Sequence, residues 1–243
     1  MIPYSVNKKV IALLHADYEE PLFIKDWLSM HNIPYQEVRI CKSEPFIDPE
    51  SVLMLVIMGG PMNIYEYEQY PWLKEERDYI RKILSGNIPA LGICLGAQLL
   101  ADVSGGTVTR LNEPEFGWYT LSRAFTPTDL KHKELFPDSL TAFQWHQDTF
   151  SLPPGAIHLY ASESCSNQGF LLNDSIIGLQ FHPEMQDKSI IGFLDQVEKD
   201  TSISESSYPK SDIINKISIY REGNEFISGV VRYLLSKAGV SIG

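Results

Sequence analysis

The chain has 243 residues, of which 44% are hydrophobic and 21% are charged, and its formal net charge is −11. This composition is that of a globular protein with a full core. The acidic balance argues against a nucleic-acid surface, because phosphate groups bind to basic patches. No segment approaches the roughly 20 apolar residues of a membrane span, and the N-terminal segment lacks the pattern of a signal peptide. Three scattered cysteines do not indicate a disulfide framework, so a reducing, cytoplasmic location is expected.

The first hundred residues alternate between apolar runs and segments with helical spacing. Short apolar runs predict buried strands at 10–15, 35–40, 51–58 and 89–93. Apolar residues at helical spacing predict helices at 20–31 and from Trp72 to Gly86, and a further helix is expected at 95–103. The charged residues at 74–82 are expected to form a solvated helix face. Alternation of this kind predicts an α/β protein with a doubly wound, mostly parallel sheet.

The second half has a different pattern. Residues 107–172 contain short β-like pieces, which predict antiparallel ribbons appended to the sheet. A buried strand is expected within 174–184, a helix at about 187–199 and a polar surface loop or linker at 200–210. Apolar residues from 213 to 235 then predict an amphipathic terminal helix with a break near Gly223. We therefore divide the chain into a domain at 1–199 and a linker with a helical extension, packed on that domain, at 200–243.

One cysteine stands between two glycines in the stretch GICLGAQ. A strand that runs through Gly92 into Cys94, followed by Gly96 and a helix, has the geometry of a nucleophile elbow. The glycines let strand and helix approach closely, and the helix N-terminus favours a thiolate. The backbone N–H of Leu95 is then placed to donate to an oxyanion. The competing interpretation is that Cys94 is a small buried hydrophobic residue.

Cysteine catalysis also needs a base and a group that orients the base. In FHPE, His182 and Glu184 follow an apolar strand, at the sheet edge where Cys94 is expected if the two strands are parallel. This predicts Cys94 as nucleophile, His182 as base and Glu184 as its orienting carboxylate, with the thiol within about 4 Å of His182. These three residues, together with His146 and Asp148, also have the side chains of a metal site. A zinc site would not need the paired glycines or the GGP loop, so a metal is not expected, and hydrolysis through the triad would require no organic cofactor.

Three motifs in this order, GGP, GICLGAQ and FHPE, resemble the class I glutamine amidotransferase family over most of residues 8–195. The resemblance implies a flavodoxin-like fold and a Cys94–His182–Glu184 triad that hydrolyses the side-chain amide of glutamine. It also implies an oxyanion hole formed by the N–H groups of Gly60 and Leu95. By the same resemblance, Gln98 contacts bound glutamine and the QWHQD segment lines its pocket through Trp145, His146, Gln147 and Asp148. The WHQDTF and FGWY segments are most similar to free-standing, GMP-synthase-like members.

Three functions remain open from the sequence. In the first, the chain releases ammonia from glutamine for an acceptor on a separate synthase chain, because no phosphate-binding loop is found here. In the second, it is a stand-alone γ-glutamyl peptidase or hydrolase with the same triad. In the third, it is a regulatory or binding protein that kept the fold. The ligand in the first two is glutamine or a small γ-glutamyl compound, and the sequence does not distinguish a monomer from a homodimer.

Overall fold

Nine strands form one mixed sheet in the computed structural model, which describes residues 8–125, 132–197 and 210–242. Their spatial order is β2-β1-β3-β4-β9-β8-β7-β5-β6. The strands are β1 (Lys9–Leu14), β2 (Tyr35–Arg39), β3 (Val52–Ile57), β4 (Ala90–Ile93), β5 (Val108–Arg123), β6 (Ser139–Phe150), β7 (Ile157–Ala161), β8 (Gly169–Leu172) and β9 (Ile176–Leu179).

Two kinds of pairing meet at β9. Strands β2, β1, β3, β4 and β9 are parallel, in the order of a flavodoxin-like sheet. Strands β8, β7, β5 and β6 continue the same sheet in antiparallel fashion. This confirms the predicted fold class, with the ribbons forming an extension of the parallel sheet.

Helices cover both faces of the sheet. They are α1 (Leu22–Met30), α2 (Trp72–Ser85), α3 (Leu95–Val103), α4 (Asp187–Val197), α5 (Lys210–Asn215) and α6 (Tyr220–Lys237). Alternate residues of β1 and β3 point to opposite faces, as expected for a strand buried on both sides. Helices α1 and α6 share a core on one face, and α2 and α3 share a core on the other.

The C-terminal helices differ in detail from the sequence prediction. The chain is interrupted at a 3-10 turn over Ile217–Ile219, and α6 runs through Gly223 without a break. A Cβ added at Gly223 would lie 3.0 Å from the carbonyl oxygen of Pro183, so the glycine permits close packing of α6 against that segment. The linker expected at 200–210 lies outside the described residues apart from Lys210, and so do positions 198–199 of the helix expected at 187–199.

None of the helices within the described ranges is long and apolar enough to cross a membrane. The charged segment around α2 is less solvated than its sequence indicates. Glu76, which we expected on a solvated face, is completely buried against His15 of the β1–α1 connection. Its burial follows from its position on the sheet-facing side of the helix, next to Leu73 and Ile80.

Candidate active site

Cys94 stands at the junction of β4 and α3, at the carboxyl end of the parallel sheet. Its backbone has φ 52° and ψ −110°, a conformation that costs energy for any residue with a side chain. Its N–H donates to the carbonyl of Leu179 at 2.8 Å, which ties the elbow to the end of β9. The thiol lies 3.7 Å from the carbonyl oxygen of Trp145 on β6. The side chain is 7% exposed, so it lies just below the surface at this sheet edge.

His182 and Glu184 lie immediately beyond β9. The imidazole Nδ1 and Glu184 Oε1 are 2.8 Å apart, and both side chains are almost completely buried. The backbone N–H of His182 donates to the carbonyl of Phe143 at 2.8 Å, so β6 of the adjacent ribbon fixes the backbone of His182. Burial opposes protonation, but Glu184 and the adjacent Cys94 thiol raise the pKa of His182 well above its usual value. The structure thus brings together the three residues of the predicted triad.

The GGP loop follows β3 and borders the elbow. A Cβ added at Gly60 would lie 2.9 Å from Leu95 Cδ2, so the loop and the start of α3 are in contact. Leu95 is the first residue of α3, where a backbone N–H has no carbonyl partner within its own helix. Gly60 therefore packs against Leu95, the residue that follows Cys94.

A buried histidine, His15, makes a hydrogen bond to the GGP loop. His15 donates from Nδ1 to the carbonyl of Gly59 at 2.9 Å, and its Nε2 lies 2.8 Å from Glu76 Oε1. Burial lowers the pKa of His15, but the Glu76 carboxylate and the Gly59 carbonyl outweigh it, and the net pKa is raised. Neither side chain was predicted from the sequence to belong to the site. The position of His15, directly after β1 at the carboxyl edge of the sheet, is the signal that could have identified it.

The predicted pocket residues lie on two elements, Gln98 on α3 and the other four on β6. Gln98 is buried and donates to the carbonyl of Asp148 at 3.0 Å and to Gln180 Oε1 at 3.3 Å, so its amide nitrogen links α3 to the pocket strand. Trp145 is half-buried and makes edge contacts with Phe116 and Phe193. Two of these residues contact Cys94 directly: the Trp145 carbonyl oxygen lies 3.7 Å from the thiol, and the backbone N–H of Gln98 donates to the Cys94 carbonyl at 3.1 Å.

His146 faces a polar network behind the pocket. Its Nδ1 donates to the carbonyl of Asp148 at 2.9 Å and its Nε2 lies 2.8 Å from Glu115 Oε2. Glu115 also accepts hydrogen bonds from Ser162, Ser164 and Gln168. With both ring nitrogens engaged, His146 has no free polar atom for a ligand. Its geometry is that of a residue that holds β6 in place.

Unlike the imidazole of His146, the carboxylate of Asp148 is not held in a hydrogen-bond network. The residue is 4% exposed, and neither carboxylate oxygen has a partner at good hydrogen-bond geometry among the described residues, although the Tyr65 hydroxyl lies close enough to interact with it. Tyr65 and Arg110 lie beside it at the surface. Partial burial and the nearby Asp148 raise the pKa of Tyr65, and Arg110 opposes them. Arg110 also donates to the side chain of Gln147. We call Tyr65, Arg110, Gln147 and Asp148 together the polar mouth. Of these four residues, the sequence predicted only Gln147 and Asp148 as part of the site.

Helix α6 contacts the segment that carries Glu184. Asn224 is buried and donates from Nδ2 to the carbonyls of Pro183 at 2.9 Å and Met185 at 2.8 Å. These two carbonyls flank Glu184, so α6 holds the segment that carries the orienting carboxylate. The sequence offered no signal for this contact, because Asn224 lies 40 residues from Glu184 within an ordinary amphipathic pattern.

The alternative metal site does not assemble. Across the three described ranges, no cluster of three or more His, Cys, Asp or Glu side chains has the spacing to hold a metal ion. Cys41, Cys94 and Cys165 are free, the first exposed and the other two buried. Three histidines are each paired with a different carboxylate instead: His15 with Glu76, His146 with Glu115, and His182 with Glu184.

Comparisons with known proteins agree with this geometry. Residues 30–190 match the family model for glutamine amidotransferase class-I. The chain is 36% identical over 180 residues to one of the subunits of a glutamine-hydrolysing GMP synthase from Sulfolobus acidocaldarius, covering 73% of this chain and 90% of that protein.

Solved structures give the same result. A glutamine amidotransferase from Thermotoga maritima superposes with a TM-score of 0.86 at 31% identity, covering 94% of this chain and 98% of that one. A glutamine amidotransferase from Methylobacillus flagellatus also has a TM-score of 0.86, at 29% identity, covering 96% of each chain. The chain therefore belongs to the class I glutamine amidotransferase family and is an enzyme of the cysteine amidohydrolase type.

Proposed function

We propose that this protein hydrolyses the side-chain amide of glutamine through Cys94, His182 and Glu184 and supplies the ammonia to an acceptor enzyme on a separate chain. One observation carries the proposal: a carboxylate-bound, buried imidazole lies next to a cysteine held in a strained elbow. Nucleophile, base and orienting group in this arrangement are the requirements of covalent amide hydrolysis.

The reaction begins with transfer of the thiol proton to His182 Nε2, since Nδ1 is occupied by Glu184. The Cys94 sulfur then attacks the carboxamide carbon and forms a tetrahedral oxyanion. His182 returns the proton to the leaving nitrogen, ammonia departs, and a γ-glutamyl thioester remains on Cys94. Water, deprotonated by His182, attacks the thioester, and glutamate leaves as the thiol is restored.

The N–H groups of Gly60 and Leu95 stabilise both tetrahedral oxyanions. Loss of one such donor typically costs about 2.7–4 kcal/mol of transition-state stabilisation. The hydrogen bond from His15 to the Gly59 carbonyl fixes the peptide that precedes Gly60, so it supports the direction of this donor. The strained backbone of Cys94 is compatible with this role, because strain of this kind is found where a site must be pre-organised.

The amino-acid end of the substrate is assigned to the mouth around Asp148. A buried carboxylate without a well-aligned hydrogen-bond partner favours a cationic ligand, and the α-ammonium group of glutamine is one. Gln98 and His146 both donate to the Asp148 backbone carbonyl and so hold this residue in place. Trp145 and Gln147 lie on the same strand, Trp145 with its carbonyl against the Cys94 thiol and Gln147 within the mouth.

The fate of the ammonia is inferred from the relatives. The Sulfolobus acidocaldarius protein is named as one of the subunits of a GMP synthase, and this chain covers 90% of it. That name implies a second chain in the same enzyme. We extend this organisation to the present protein, with a synthase chain as its partner and the acceptor unspecified.

The test is glutamate and ammonia release from L-glutamine by the wild type and by Cys94→Ala. We expect activity in the wild type, loss of at least about 10³-fold in the variant, and full activity in the matched control Cys41→Ala, whose exposed thiol lies outside the site. A glutamine-derived diazoketone should add one mass increment to the peptide that contains Cys94. Equal activity in Cys94→Ala would refute the assignment.

A substrate panel separates the two enzymatic functions. Turnover of glutamine, alone or after addition of a synthase chain that co-purifies, supports the amidotransferase. Turnover restricted to γ-glutamyl peptides, with Cys94 still required, would instead identify a γ-glutamyl peptidase that uses the same triad.

A further inference from the structure

One buried carboxylate near the triad has no part in the mechanism above. Glu19 lies in the connection between β1 and α1, five residues beyond the end of β1. It is 8% exposed, and its Oε2 atom has no hydrogen-bond partner within the described part of the chain. A buried carboxylate oxygen that is left unpaired is costly, so its position calls for a function.

The gap left by Gly59 brings this carboxylate to the imidazole. A Cβ added at Gly59 would overlap Glu19 Oε2, would lie 3.0 Å from Glu19 Cδ and would lie 3.2 Å from His182 Cε1. The carboxylate and the Cε1 edge of the ring are therefore neighbours on either side of a residue without a side chain. The close approach explains why the first residue of the GGP loop is a glycine, since any larger residue would displace Glu19.

Charged groups surround Glu19 on several elements. The net pKa of Glu19 is raised to about 7: burial and the neighbouring Glu184 raise it, while His182 beyond β9 and His15 beyond β1 lower it. His15 is in turn paired with Glu76 of α2. The ring of His182 faces Glu184 through Nδ1 and the Cys94 thiol through its other edge. Glu19 is thus a second carboxylate facing the same imidazole, at a position where it makes no hydrogen bond to the ring.

We propose that Glu19 is a positioning residue that stabilises the protonated form of His182 across the Gly59 gap and thereby sets the alkaline limit of amide hydrolysis. The part that concerns hydrolysis rests on the proposed function. An anion next to an imidazole favours the imidazolium, and His182 must carry a proton to release the leaving nitrogen. The carboxylate is anionic above about pH 7. Its effect is therefore exerted on the alkaline side, where His182 would otherwise lose its proton.

The first experiment does not depend on activity. The Cε1–H signal of His182 is followed by NMR against pH in histidine-labelled protein and is identified by its absence from His182→Asn. We expect the titration midpoint of His182 to fall by about one pH unit in Glu19→Gln, because the variant loses a negative charge next to the imidazole. Glu19→Asp should keep part of the effect, because it keeps the charge. The matched control Glu20→Gln removes a carboxylate one residue away, on the side of Arg39, and should leave the midpoint unchanged.

The second experiment measures kcat/KM for glutamine against pH in the same proteins. The alkaline limb should move to lower pH by about one unit in Glu19→Gln, with the acid limb unchanged. An unchanged His182 midpoint in Glu19→Gln, or an equal fall in Glu20→Gln, overturns the proposal. A shifted midpoint with an unmoved alkaline limb overturns the part that concerns hydrolysis. Failure of the wild type to act on any γ-glutamyl substrate would count against the proposed function, and the NMR comparison would still decide the coupling.

Discussion

The elbow glycine Gly96 offers a quantitative test of how the nucleophile is held. A Cβ added at this position would overlap the carbonyl oxygen of Ile57 and would lie 2.7 Å from the carbonyl carbon and 2.9 Å from the Cβ of the same residue. The obstacle is the backbone at the end of β3, which cannot rotate away as a side chain can. We therefore expect Gly96→Ala to force α3 away from the sheet.

The magnitude follows from two opposing effects. Forcing an extra methyl group into a packed interior costs about 1–3 kcal/mol, and we take about 3 kcal/mol because backbone is in the way. Alanine recovers about 1 kcal/mol through its higher helix propensity. The free energy of unfolding should therefore fall by about 2 kcal/mol. Glutamine hydrolysis should fall as well, because the N–H of Leu95 moves with α3.

The matched control is Gly192→Ala in the exposed part of α4. No described atom lies within 4 Å of a Cβ at this position, so only the propensity gain remains, about 0.5–1 kcal/mol. Equilibrium unfolding in urea gives both values from the shift of the midpoint at constant slope. Equal stability in the two variants would refute the reasoning, since both replace a helical glycine and differ only in the space available.

Substitutions at three further positions test the surroundings of the site. Glu115→Gln should lower the free energy of unfolding at pH 7 by about 1–3 kcal/mol, because an amide cannot accept all the hydrogen bonds that the carboxylate accepts. Burial opposes ionisation of Glu115, but its hydrogen bonds outweigh burial and lower its pKa. The difference in stability between wild type and Glu115→Gln should therefore shrink as the pH falls below 4.5. Urea midpoints measured at pH 7 and pH 4 would show this change. Asp148→Asn should raise KM for glutamine about 10- to 100-fold with little change in kcat, because one charged hydrogen bond is lost; a change confined to kcat would contradict this role. Asn224→Ala should reduce kcat and lower the urea midpoint, and Asn224→Asp should be worse, because a carboxylate cannot donate to the carbonyls of Pro183 and Met185; equal effects would argue against the two hydrogen bonds.

The sequence by itself predicted the parallel half of the sheet, which the structure confirms, and it was enough to propose a triad whose three residues the structure brings together. Buried parallel strands have continuous apolar runs and the elbow needs glycines at fixed positions, so both are visible within a few residues of chain. The carboxyl ends of parallel strands meet at one edge, which is why Cys94 and His182 could be paired across almost 90 residues.

Tertiary structure alone decided the roles of the other polar residues. His146 and Asp148 are two residues apart on β6, yet the imidazole is tied to Glu115 and the carboxylate has no well-aligned hydrogen-bond partner among the described residues. Glu19 and Glu76 look like surface charges in the sequence, and their burial depends on residues that are distant along the chain. Local pattern fixes which face a side chain takes, but the partner on that face comes from another element. The residues around the triad therefore had to be located from the folded chain.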